Sequence, residues 1–200
     1  NNHLEPYLSR FEGCHILALG SNNARGALVS LEASGISAGE VRTSASEIAY
    51  GVGSGALFKW FEVGADDAPG GFTCVVEHLT PELVFDEAVF PHPNGATGLA
   101  EVTLYAEDSS GAGERYAKLF GIDGTPSVWG LEFDLGQNCM GVTGRSGFGR
   151  RYPNAELRGA PSFAAFTISV ADIQVSNSAR APTGRPFHSG SNVPLWAPPA

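Results

Sequence analysis

Positive charge, cysteine and long apolar runs are all scarce in this sequence. Its 200 residues carry 12 Lys and Arg against 21 Asp and Glu, a net charge of −9, with a pI of about 4.9. A chain this acidic lacks the cationic surface that grips a phosphate backbone, which argues against generic nucleic-acid binding. No apolar run approaches the ~20 residues of a membrane helix and no signal-peptide pattern opens the chain, so no membrane contact and a cytoplasmic location are expected. The three cysteines, Cys14, Cys74 and Cys139, are odd in number and have no metal-type spacing. They are expected to be free, largely buried thiols of a reducing compartment rather than a disulfide framework. A phosphate loop, a Rossmann glycine fingerprint and a nucleophile elbow are also missing, which leaves nucleotide binding and Ser-His-Asp catalysis without support.

Glycine and proline are abundant instead, at 26 and 13 residues, well above the usual ~12% combined. So many turn formers imply short elements and disfavour a helical bundle. An internal repeat organises them. Residues 15–36, HILALGSNNARGALVSLEASGI, align without a gap over residues 101–122, EVTLYAEDSSGAGERYAKLFGI, and a looser third copy begins at Ala165. Each of the first two copies runs from an apolar stretch to Asn22 or Asp108, then a helix-like segment, then Gly35-Ile36 or Gly121-Ile122. In the second copy Val102, Leu104 and Ala106 alternate with Glu101, Thr103 and Tyr105 as in a strand, and Tyr116, Leu119 and Phe120 recur at helical spacing. The pattern predicts helices near 23–34 and 109–120, and strands near 47–50, 56–63, 72–79, 127–135 and 138–143. Strand, helix, then several strands, repeated, is an α+β design whose sheets curve around a cavity.

That βαβββ order, with Glu77-His78-Leu79-Thr80-Pro81-Glu82 closing one unit and His92-Pro93-Asn94-Gly95-Ala96 leading into the next, resembles the glyoxalase-like proteins of the vicinal oxygen chelate superfamily. The resemblance covers about Glu12 to Gly190 and is strongest in EHLTPELV and HPNGATGL. It implies tandem βαβββ modules forming curved mixed sheets: residues 1–92 hold the end of a truncated module, its last strand at 3–8, and a complete module, and residues 93–200 hold a third module and an incomplete fourth from 161. The opening Asn1-Asn2-His3 lacks an initiator Met, and the chain is expected to start inside a larger protein.

The same resemblance implies a divalent metal (Zn, Fe, Mn or Ni) held near the start of a first strand and on a fourth strand, which points to His15, His78 and Glu5. Histidine and glutamate are competent ligands for such ions. The residues by themselves leave other readings open: His15 as a half-buried strand histidine, His78 as a turn anchor beside Pro81, Glu5 as a solvated carboxylate. Glu77 and His78 must point to opposite faces of their strand, so at most one lines the cavity. Arg145, Arg150 and Arg151 form the one basic cluster, in a glycine-rich loop suited to an acidic group of a substrate or to balancing local negative charge. Arg150 and Arg151 are taken as substrate-binding together with Glu101, which is also the other candidate carboxylate ligand.

Two functions are open. One is a metal-dependent lyase, isomerase or dioxygenase of the glyoxalase type, acting on a small oxygen-rich metabolite that chelates the metal. The other is a metal-free protein of the same fold that binds or sequesters a small molecule between apolar walls. Either way the partner is a small molecule, and a second copy supplying the missing modules would make a homodimer.

Overall fold

Two mixed sheets, of four and five strands, carry the residues that the computed structural model describes, which are 5–9, 13–46, 55–85, 95–157 and 159–173. The elements are α1 (Glu5–Leu8), β1 (Ile16–Gly20), α2 (Ala24–Ala33), β2 (Arg42–Ser46), β3 (Ala56–Val63), β4 (Phe72–His78), α3 (Pro81–Val84), β5 (Ala96–Tyr105), α4 (Ser109–Phe120), β6 (Thr125–Pro126), β7 (Leu131–Asp134), β8 (Cys139–Thr143), α5 (Arg145–Arg151) and β9 (Ser162–Val170). The first sheet is ordered β1-β4-β3-β2, and the second β6-β7-β8-β5-β9. In both, the strand before the helix lies parallel to the last strand of the following meander: β1 beside β4, and β5 beside β8. β9 then adds antiparallel to the outer side of β5. Among the described residues no helix is long and apolar enough to cross a membrane.

The two helices form for the same local reasons. Asn23 caps α2 by accepting the Gly26 N–H at 2.9 Å, and Asp108 caps α4 by accepting the Gly111 N–H at 2.9 Å. Gly35 and Gly121, at φ 69° and 67°, take the left-handed backbone that ends each helix. The residue matching Asp108 is thus Asn23 rather than Asn22, and the gap-free alignment is out of step by one residue through the strand and cap, while Gly35 and Gly121 still match. The ladders agree: Gly20 opposite Val76 and Tyr105 opposite Thr143 are the last rungs of equivalent parallel pairs. Each is followed by the same backbone bond, Ser21 N–H to Val76 and Ala106 N–H to Thr143. Glu101 is therefore the counterpart of Ile16, and His15 that of Ala100.

Three segments depart from expectation. Residues 5–8 of the expected last strand are the short helix α1, closed by the Ser9 N–H on the Glu5 carbonyl at 3.0 Å. Pro6 sits in its first turn, where a missing N–H costs nothing. The expected strand at 47–50 lies outside the described residues, while the polar segment Arg42–Ser46 is a strand because β3 pairs along it. The glycine-rich loop 145–151 is the helix α5, anchored by Phe148, which is 1% exposed. Of the cysteines, all free, Cys74 is buried and Cys139 half-buried, but Cys14 is exposed, held by an isolated bridge to Phe163 rather than inside a sheet.

One apolar core joins both sheets. It runs from Phe61, Val63 and Val75 of the first to Leu104, Phe133 and Met140 of the second, with Tyr116 and Leu119 of α4 between them. The Tyr116 hydroxyl donates to the Pro69 carbonyl at 2.8 Å, and Lys118 donates to the Gly35 carbonyl at 2.9 Å. Gly71 permits a close approach of the chain, since a Cβ there would overlap the His15 carbonyl oxygen.

Candidate functional site

Alternation along β1 and β4 sorts the first sheet into two faces. Leu17 and Leu19, with Val75 and Glu77 beside them, turn toward α2, whereas Ile16, Ala18 and His78 turn the other way, with Phe58 and Trp60 of β3. Glu77 is tied down on the helix side. Its Oε2 accepts the Ala24 N–H at 2.9 Å at the start of α2, and its Oε1 lies 3.8 Å from Lys59 Nζ. A carboxylate at a helix N-terminus is held by the exposed amides and the helix dipole together.

Between the β1 edge and the second sheet runs a groove of about 1030 Å³, at the upper end of what small-molecule sites enclose. Leu17, Leu19 and Leu31 line one wall, and Val102, Leu119 and Met140 the other, with His78 and Phe85 also contributing. Glu77 is the one Asp, Glu, Lys or Arg among its described lining residues. The His78 ring meets Phe85 edge-on, with centroids 5.1 Å apart at 80°. Its Nδ1 is buried and has no hydrogen-bond partner among the described residues, although the side chain as a whole is only half-buried. Burial lowers the His78 pKa from its ordinary value, because the imidazolium is the form that loses hydration.

The expected metal ligands are not brought together. His15, 6% exposed, precedes β1 on the helix side, and its carbonyl accepts the Phe72 N–H at 2.8 Å. His78 is at the far end of β4 from Phe72 and on the opposite face, about 20 Å along the strand at ~3.3 Å per residue. Glu5 is exposed on α1. Among the described residues no group of three or more His, Cys, Asp or Glu is placed to hold a metal ion. His15 and His78 therefore do not fit a shared divalent metal, because they stand at opposite ends of β4 and on opposite faces.

Two of the three expected substrate-binding residues, Arg151 and Glu101, do meet, but they occupy one another. Arg151 Nη1 and Nη2 donate to Glu101 Oε1 and Oε2 at 2.6 and 2.5 Å, a bidentate pair that is half-buried. Thr103 Oγ1 adds a bond to Glu101 Oε1 at 3.1 Å and lies 3.0 Å from the Tyr152 hydroxyl. Burial alone would lower the Arg151 pKa, but the hydrogen bonds and charge of Glu101 leave it raised. Burial also raises the Cys139 thiol, and Asp134, Glu101 and Glu132 add to the rise against the opposing pull of Arg151. Arg150 is exposed on the last turn of α5.

A cavity was expected within the curve of the sheets, but its position beside the β1 edge was not anticipated from sequence. Leu119 and Phe120 read as the buried stripe of a helix, and nothing local shows that the second sheet faces β1 across open space. Comparison with protein-family models, with curated proteins and with solved structures finds no match to the chain.

Proposed function

We propose that the protein binds a small apolar molecule in the groove beside β1, as a binding module built on two glyoxalase-like βαβββ units. The observation that carries this reading is the groove itself, about 1030 Å³ with walls of Leu17, Leu19, Val102, Leu119 and Met140. An apolar ligand entering it removes its own surface and that of these side chains from water at about 25 cal/mol per Å². The glyoxalase-like part is supported by the repeated order β-α-β-β-β with first and fourth strands parallel in both sheets. Metal-assisted chemistry would need its ligands to converge on one ion, and His15 and His78 stand at opposite ends of β4 and on opposite faces. A binding role needs no such convergence.

The test uses a neutral apolar fluorophore, N-phenyl-1-naphthylamine. We expect saturable one-to-one binding with a Kd of about 1–10 μM, a common range for apolar sites with few polar contacts. Ala18 is exposed and borders the groove, so Ala18→Trp fills space without disturbing the core. This variant should weaken binding about tenfold or more. Unsaturable binding, or an unchanged Kd in Ala18→Trp, would sink the proposal.

A further inference from the structure

We infer that the ligand is an uncharged molecule bearing an acceptor oxygen of the carbonyl class, which receives a hydrogen bond from the Nε2–H of His78. This rests on the groove being a binding site, and it follows from the charges and the fixed hydrogen-bonding group that border it.

Charge is the first constraint. The described lining carries no Lys or Arg, so a carboxylate or phosphate finds no cation to replace its water. Its one carboxylate, Glu77, already accepts the Ala24 N–H and faces Lys59, which leaves little to attract an ammonium. Arg151, the residue best shaped to hold an acid, is committed to Glu101 and does not border the groove. Neither an anion nor a cation recovers its lost hydration there.

The tautomer of His78 is the second constraint. Nδ1 is buried without a partner, so a proton on it would be an orphaned donor. An unpaired acceptor lone pair is tolerated better than a buried unpaired N–H, which places the single proton on Nε2. The imidazolium would protonate both nitrogens and is disfavoured by the same geometry. Nε2 is not among the buried unpartnered atoms of a side chain that is only half-buried, so it is the nitrogen open to a ligand. Phe85, edge-on at 5.1 Å, restrains the ring. Ser21, Asn22, Gln137 and Asn138 also border the groove, but the His78 N–H is the donor on a ring held by an aromatic neighbour, and a molecule with a carbonyl oxygen satisfies it where a hydrocarbon leaves it bare.

The experiment titrates the full chain, labelled with ¹⁵N and with ¹³C methyls, with four size-matched probes: acetophenone, ethylbenzene, benzoate and benzylamine. Ring ¹⁵N shifts should show the His78 proton on Nε2 before any addition. Acetophenone should bind about fivefold to tenfold more tightly than ethylbenzene, as expected for one net hydrogen bond, and at least tenfold more tightly than benzoate or benzylamine. In His78→Phe acetophenone and ethylbenzene should become equal, while His78→Gln, which keeps an N–H donor, should retain part of the preference. A proton on Nδ1, tighter binding of either charged probe, or an unchanged preference in His78→Phe overturns the inference and leaves the groove as a site. If the neutral fluorophore binds but acetophenone shifts no groove methyl, the inference is likewise wrong. Failure of the fluorophore itself removes the binding reading beneath it.

Discussion

At Gly147 a missing side chain decides whether a helix can dock. A Cβ there would overlap the Trp129 carbonyl oxygen and Thr143 Oγ1, whereas Gly149 has nothing within 4 Å. Gly147→Ala should therefore cost about 1–3 kcal/mol by overpacking, and Gly149→Ala should gain up to about 1 kcal/mol through helix propensity. Urea unfolding of both variants checks this, and equal effects would show that α5 does not press on Trp129. The sequence could not reveal the helix, because three glycines in Gly144–Gly149 read as a loop while the packing that overrides them is tertiary. The arginines had the same difficulty. The fork of Arg151 does hold a carboxylate, but that carboxylate is Glu101 of the same chain, across a contact that no local pattern encodes.

Elements were more legible than their boundaries. Helices expected at 23–34 and 109–120 are observed at 24–33 and 109–120, since caps and glycine stops are local chemistry. β3 and β8 also fell where apolar runs predicted them. β2 did not, because Arg-Thr-Ser-Ala-Ser has no apolar alternation and owes its conformation to β3. The costliest error was a single step. Aligning Asn22 with Asp108 equated His15 with Glu101, and in a strand a shift of one residue exchanges the two faces. The resemblance places His15 in the expected metal cavity, whereas by alternation it falls on the helix side with Leu17 and Leu19. Caps offer a direct check on the corrected register. Asn23→Ala should destabilise the protein by about 1 kcal/mol through loss of the bond to the Gly26 N–H, while Asn22→Ala should change stability by less than about 0.5 kcal/mol, as expected of an exposed side chain without such a bond. Thermal melts of the pair decide it, and the reverse order would restore the original alignment.

At the scale of the molecule, the repeat suggests two units divided near residue 92, but the packing couples them. Tyr116 and Lys118 of α4 bond to carbonyls of Pro69 and Gly35 in the first half, and Gly70 abuts Leu104 and Phe163 of the second. Phe61 and Val75 belong to the same apolar cluster as Leu104 and Met140. Opening either unit would expose part of that cluster to water, so each half draws stability from the other. Unfolding should then be a single cooperative transition, as in small proteins with one core. Trp60 reports on the first sheet and Trp129 on the second, and both are half-buried. Variants that keep only one tryptophan, made with Trp→Phe changes at the other two positions including Trp196, should therefore unfold in urea with coincident midpoints. Midpoints separated by more than about 0.5 M, roughly 1 kcal/mol at a typical urea slope, would mean that the halves unfold independently. The groove between them would then be a gap between separate bodies, whose walls could not be held in register to select a ligand.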